Sequence, residues 1–408
     1  MSLLFALLNA HAHTETLTDT VTDTDATQKY IHTPLSLLLL TGQVLHDSQA
    51  SLFFVFCFWF ALQAKPTIMK SFLAIAAALV TLTSAAPVQV YIMMGQSNML
   101  GEGKRLGMKN GTLEFAVKTE HKYPYLWDAT TGTWTVSKSV RNVFVMGSGG
   151  PDASTRVQNN EWLTNGPTNK RKTIGPELGI GGMMEALGGE TMLLKSCIGN
   201  RALGWDLLPP GSPSFDYQDP RNASLVWTYA GYHQSPARWE KGTTPKPIKW
   251  EAGIQYDGDV FREDAVLKDL GTYFPGATEY EVAGFFWWQG DRDSRDMALA
   301  EHYETNLVRF IKSLRTHFKS PNAKFVTASL GQTKMGSTDG GGLILDAMLA
   351  VANATKYPEF KGNVAAVYSH PLSMGSSSGS HYGGNAETYM NIGQAMGSAM
   401  VKLLKGDE

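Results

Sequence analysis

An α/β domain on a mostly parallel central sheet is what this sequence predicts, and three observations predict it. Short apolar runs rich in β-formers recur at Val88–Met94, Thr191–Cys197, Glu281–Trp288, Lys324–Leu330 and Asn363–Tyr368. Helical patterns lie between or after them, from Gly175, over Ala298–Phe318, Leu343–Ala352 and Ala386–Leu404. The runs are nearly continuous in apolar residues, as strands buried on both faces are. Strands alternating with helices give a parallel sheet covered on both faces. Two long inserts, 102–174 and 203–262, interrupt the rhythm.

The first run ends abruptly in Gly95-Gln96-Ser97-Asn98. A glycine there permits a tight turn and leaves the next residues at the sheet's carboxyl edge, where open α/β sheets place ligands. Ser97 is a candidate nucleophile, and its neighbouring N–H groups are candidate oxyanion donors. The same residues also suit a helix N-cap. In the first insert, Trp127-Asp-Ala-Thr-Thr-Gly-Thr-Trp134 reads as a hairpin with a glycine in its turn. Pro176 and Glu177 suit the first turn of the next helix.

The second run ends in Lys195-Ser-Cys-Ile-Gly-Asn-Arg201. Cys197 reads as a small buried residue. Without a Cβ, Gly199 lets its N–H approach a bound carbonyl oxygen. Asn98, Asn200 and Arg201 are candidate substrate contacts, the last two equally able to fix their loop. The second insert is rich in Pro, Gly, Tyr and Trp, and long loops after strands usually build the site. Its aromatic rings suit the C–H faces of sugars, although Trp205, Trp227, Trp239 and Trp250 can also simply pack the insert. The third run ends in Gln289-Gly-Asp-Arg-Asp293. Asp291 is placed either to act at the sheet edge, to cap the next segment, or to pair with Arg292 or Arg295. Along Ala298–Phe318, residues Tyr303, Leu307, Phe310, Ile311 and Leu314 form the apolar stripe, which puts His302 and His317 on the surface. His381 lies in Gly379–Glu387, just before the last helix, where it can reach a serine on the first strand. His370 is the second candidate base.

The chain has 408 residues, a net charge of −2 and 18% charged residues, with no basic bias that would point to nucleic acid or an anionic membrane. Met69-Lys70, an apolar run and Ser84-Ala-Ala-Pro87 read as a secretory signal peptide over 69–86. The expectation is therefore a start at Met69, with 1–68 a non-native or disordered extension, and a secreted or periplasmic protein without stable membrane insertion in its mature form. The alternative is an authentic long form anchored by its apolar segments. Cys57 and Cys197 are the two cysteines, so the mature chain holds no intrachain disulfide. No His-Glu-x-x-His, paired cysteines or EF-hand loop is present, and neither a metal nor another cofactor is expected.

Gly95-Gln-Ser-Asn-Met99 resembles the first block of the SGNH hydrolases, in the branch of sialate O-acetylesterases and family-six carbohydrate esterases such as acetylxylan esterases. Lys195–Trp205, Phe285–Asp293 and the His381 loop resemble the remaining blocks in order, over roughly 88–404. The resemblance implies a three-layer α/β/α sandwich, SGNH- or flavodoxin-like, with long loop inserts over 87–408. It implies Ser97 as nucleophile, His381 as base, and Ser97 N–H, Gly199 N–H and the Gln289 amide as oxyanion donors. It assigns the acid to Asp291, with Asp293 as alternative. The chain departs from the common pattern in carrying Ser378, not aspartate, three residues before the histidine. The acid must then come from elsewhere, or a dyad operates. The function so implied is removal of O-acetyl groups from carbohydrate, either sialic acid or an acetylated polysaccharide such as xylan. A carbohydrate-binding protein on a decayed esterase scaffold is the alternative, and a lipase-like esterase ranks third.

Overall fold

The computed structural model describes residues 86–376 and 378–407, with 378–380 described by backbone alone. The expected extension over 1–68 and, apart from Ala86, the leader over 69–86 lie outside the described residues.

In chain order the strands are β1 (Val88–Gly95), β2 (Gly103–Lys104), β3 (Trp127–Asp128), β4 (Thr133–Trp134), β5 (Val136–Met146), β6 (Arg156–Thr164) and β7 (Thr173–Ile174). They continue with β8 (Thr191–Ser196), β9 (Phe215–Gln218), β10 (Val226–Tyr229), β11 (Arg238–Glu240), β12 (Tyr280–Trp288), β13 (Lys324–Ala328) and β14 (Val364–Val367). The helices are α1 (Ser97–Leu100), α2 (Leu113–Lys118), α3 (Glu177–Leu187), α4 (Ile254–Lys268), α5 (Leu270–Tyr273), α6 (Met297–Glu301), α7 (Tyr303–His317), α8 (Gly340–Val351) and α9 (Ala386–Lys405).

Seven strands form one sheet in the order β14-β13-β12-β1-β8-β5-β6. Every neighbouring pair is parallel except β5 with β6, which is antiparallel. All five predicted strands lie in it. The remaining two, β5 and β6, come from the first insert. The expected hairpin is β3–β4, with Trp127 opposite Trp134.

The period of two along a strand sorts side chains into two cores. From β1, Val88, Val90, Ile92 and Met94 enter one core, with residues of α4, α7 and α8. Tyr91 and Met93 enter the other, with residues of α2, α3 and α9. The neighbouring Trp287 and Trp288 divide in the same way, one to each core. The result is the expected three-layer α/β/α sandwich, and it places the central strands β1, β8 and β12 side by side with their carboxyl ends on one edge.

Gly95 turns the chain at that edge. Its φ is +151°, and an added Cβ would stand 2.3 Å from the Trp288 carbonyl oxygen. Only glycine lets β1 and β12 lie so close where α1 begins. The predicted helix over Ala298–Phe318 instead divides at His302, whose ring stacks on Phe215 at 3.6 Å and is half-buried.

α4 packs against β8 with a polar buried face: Gln255, Asp259, Arg262 and Glu263 are all inaccessible. Asp259 accepts from Ser196 Oγ and Gln255 Nε2, whereas both Glu263 carboxyl oxygens find no partner among the described residues. Burial, reinforced by Asp259 and Asp264, pushes the Glu263 carboxyl well above its ordinary 4.5. The folded state thus holds this proton at pH values where the unfolded chain has released it. The group's contribution to stability is full below 4.5 and is lost as pH rises through the raised value. Glu263→Gln keeps the shape without the charge. It is expected to raise the thermal midpoint at about pH 8 by about 2–4 °C, with a smaller gain near pH 5. Calorimetric melts at both pH values check this, and an equal or negative shift at pH 8 contradicts it.

Candidate active site

Ser97 is the first residue of α1, directly after the β1 turn. His381 approaches from 284 residues away, and its Nε2 lies 2.9 Å from Ser97 Oγ. His370, the other candidate base, instead sets its Nδ1 2.7 Å from the Gly331 carbonyl.

The loop holding His381 is shaped against its intrinsic preference. His381 and Tyr382 both take left-handed φ, at 50° and 58°. Such residues cost roughly 1–3 kcal/mol each and persist where the surroundings over-determine them. Tyr382 supplies that determination. Its buried ring stacks with Trp288, and its hydroxyl accepts from Gly331 N at 3.1 Å and Asn98 Nδ2 at 3.4 Å. Burial pushes this phenol up to about 12, so it stays protonated. Asn98 is therefore turned inward onto Tyr382. Its Oδ1 is buried with no partner among the described residues.

Beside Ser97, a Cβ on Gly199 would stand 3.7 Å from the serine Cβ. No described hydrogen bond uses the N–H of Ser97 or of Gly199, so both remain available to an oxyanion. Asn200 is exposed, with a left-handed φ of 58°. Arg201 is committed elsewhere: it donates to Ser148 Oγ at 2.7 Å and Gln255 Oε1 at 3.3 Å, and lies over the Trp250 ring at 4.8 Å. It fixes the loop, which was the other role open to it.

The expectation for Gln289 requires correction. Its side chain is fully buried, and its Nε2 faces Gln96 Oε1 at 3.1 Å, the Arg201 carbonyl at 2.8 Å and an oxygen of Asp293. Its Oε1 accepts from Tyr303 Oη at 2.8 Å, which in turn accepts from Trp287 Nε1 at 3.0 Å. Turning the amide over would set its oxygen against three acceptors, so the orientation is fixed. Both its hydrogens are used inside the protein, and none is free to meet an oxyanion. Gln289 is a hub that ties β12 to the loop after β8.

The two candidate acids also part from expectation. Asp291 makes no described hydrogen bond or ion pair with His381; its carboxylate pairs with Arg295, four residues on. Asp293 is fully buried and accepts from Leu203 N at 2.9 Å and Gly204 N at 2.8 Å as well as from Gln289, with no described bond to the histidine. Burial pushes its carboxyl up to about 6 against the pull of those three donors. Among the described residues no carboxylate forms an ion pair with His381. Cys197 is buried, and its thiol is pushed up to about 12, which makes it inert near neutrality. No group of His, Cys, Asp or Glu suited to a metal occurs among the described residues. No helix among them is long and apolar enough to cross a membrane.

A hydroxyl hydrogen-bonded to an imidazole beside two free N–H groups is the equipment of nucleophilic acyl transfer. Residues 238–402 match the family model described as carbohydrate esterase, sialic acid-specific acetylesterase. The matched stretch contains Gln289, Asp291, Asp293 and His381, and begins after Ser97 and Gly199. No curated protein matches the chain. Among solved structures, a protein of Arabidopsis thaliana is similar at 17% identity, covering 78% of this chain and 98% of its own, with a TM-score of 0.40. A carbohydrate acetylesterase from Xanthomonas citri is similar at 14% identity, covering 78% of this chain and 57% of its own, with a TM-score of 0.44. NanS is similar at 13% identity, covering 70% of this chain and 79% of its own, with a TM-score of 0.34.

Proposed function

We propose that this protein is a serine esterase that removes O-acetyl groups from carbohydrate through an acetyl-enzyme. The observation that carries the reading is the 2.9 Å contact between Ser97 Oγ and His381 Nε2 at the carboxyl edge of β1. His381 Nε2 takes the Ser97 proton as Oγ bonds to the acetyl carbon and the carbonyl electrons move onto oxygen. Ser97 N–H and Gly199 N–H donate to that oxyanion. The intermediate collapses, the sugar hydroxyl leaves with the proton from His381, and a water activated by His381 then releases acetate. Gln289 and Asp293 act on this chemistry through the Gly199 loop, which they fasten at Arg201, Leu203 and Gly204.

A second reading, a carbohydrate-binding protein without turnover, is favoured by the lack of a described carboxylate on His381. The two separate in one experiment. Acetate release from acetylated xylan, from O-acetylated sialic acid and from a chromogenic acetate is measured with the purified protein. Release from any of them supports the esterase. Binding of the acetylated sugar with no release from all three establishes the binding protein instead.

A further inference from the structure

β2 and β7 pair antiparallel, setting Lys104 opposite Thr173. Two basic segments far apart in the sequence, Lys104-Arg105 and Lys170-Arg-Lys172, thereby meet around a cleft of about 560 Å³. Arg105 is its buried floor, donating to the carbonyls of Asn165, Gly166, Asn169 and Arg171. Lys104, Lys170 and Lys172 are exposed at its rim. None of them pairs with a carboxylate among the described residues, and the cleft has no acidic lining residue. The nearby Glu114 is already held by Lys118 and by Gly107 N. A net charge of −2 over the whole chain thus conceals a local excess of cations.

The walls of the cleft touch the two segments that carry the candidate nucleophile and base. Lys104 lies along Gly384, three residues past His381, where an added Cβ would meet its Cε at 3.0 Å. Arg171 donates to the carbonyls of Leu100 and Gly101, three and four residues past Ser97. Leu106, 55% exposed, and Pro167 add apolar surface to the same wall. Uncompensated ammonium groups beside an apolar face fit a sugar ring bearing an anionic group. A hydrated inorganic anion would make no use of the apolar wall.

We propose that this cleft is a binding subsite for an anionic sugar unit next to the acetylated one, so that the preferred substrate is an acetylated acidic glycan. The inference rests on the esterase reading for its catalytic consequence, but not for binding. Its test uses the full chain and the variant Lys104→Gln/Lys170→Gln/Lys172→Gln, whose three side chains are exposed. The ratio of kcat/KM on acetylated polygalacturonate to that on an acetylated neutral xylo-oligosaccharide is expected to fall about tenfold in the variant, the summed worth of three exposed charge contacts. High salt should produce the same fall in the wild type. Calorimetric titration with oligogalacturonate and with a sulfated oligosaccharide distinguishes carboxylate from sulfate as the anion. Either one binding the wild type more tightly than the variant supports the subsite. An unchanged ratio with no difference in oligosaccharide binding overturns it, as does tighter, lysine-dependent binding of a DNA duplex or anionic vesicles. If no acetate is released from any ester, the esterase reading fails, and the titration alone decides the cleft.

Discussion

Ser97→Ala is expected to abolish turnover of a chromogenic acetate while leaving the fold intact. The Ser97 side chain has one described hydrogen bond, to His381, and nothing in either core depends on its hydroxyl. Loss of the nucleophile removes the covalent route entirely, and falls on the order of 10⁴-fold or more in kcat are typical for such sites. His381→Ala should cost about as much. The double variant should be little worse than either, because the two groups act as a unit. Circular dichroism and the thermal midpoint check the fold, and initial rates check the chemistry. A folded Ser97→Ala protein with wild-type turnover would exclude a serine mechanism. Additive losses in the double variant would show that the residues do not work together.

The parts of the fold that the sequence revealed are those where burial is symmetric. β1, β8, β12, β13 and β14 are covered on both faces, so each reads as an apolar run. β5 and β6 escaped notice because they mix Lys138, Arg141, Asn142, Asn159 and Glu161 with apolar residues. α4 escaped for a similar reason. Its buried surface mixes Tyr256, Val260, Val266 and Leu267 with Gln255, Asp259, Arg262 and Glu263, so the polar residues break up the apolar stripe that would mark it. Its charges satisfy or oppose one another inside the protein, a relation that periodicity cannot express.

The candidate site divides along similar lines. Ser97 and His381 were legible because each stands at a distinctive junction, one after a strand and one before the last helix. Gln289 was read as an oxyanion donor, whereas its amide is turned into the protein, since a sequence does not tell whether an amide at a strand end points to the cleft or to the core. The cationic cleft was invisible, because it depends on the two-residue pairing of β2 with β7 across a long insert.

Asp293→Asn is expected to cripple the proposed ester hydrolysis, whereas Asp291→Asn leaves it near wild type. One Asp293 oxygen accepts from Gly204 N, and the other accepts from both Leu203 N and Gln289 Nε2. An asparagine must present an NH₂ to one of these sets, placing donor against donor in a site with no exposure. Each buried donor so orphaned costs about 1–3 kcal/mol, and the strain falls on the loop that carries Gly199. Displacing an oxyanion donor lowers kcat by on the order of 10²–10³-fold with little effect on KM, since the oxyanion exists only after attack. Asp291, by contrast, gives up only a partly exposed pair with Arg295, worth about 0–1 kcal/mol. Steady-state kinetics of the two variants, with thermal midpoints to separate folding from catalysis, decide the matter. A rise in KM alone in Asp293→Asn would mean that this carboxylate shapes the binding surface and does not hold the oxyanion loop. If Asp291→Asn were the variant that loses kcat, its carboxylate must leave Arg295 and turn to His381 during turnover, and the site would run as a triad. Near-neutral Asp291→Asn with a crippled Asp293→Asn leaves His381 held by the left-handed loop and the Tyr382 anchor, with geometry taking over the orienting work of the acid.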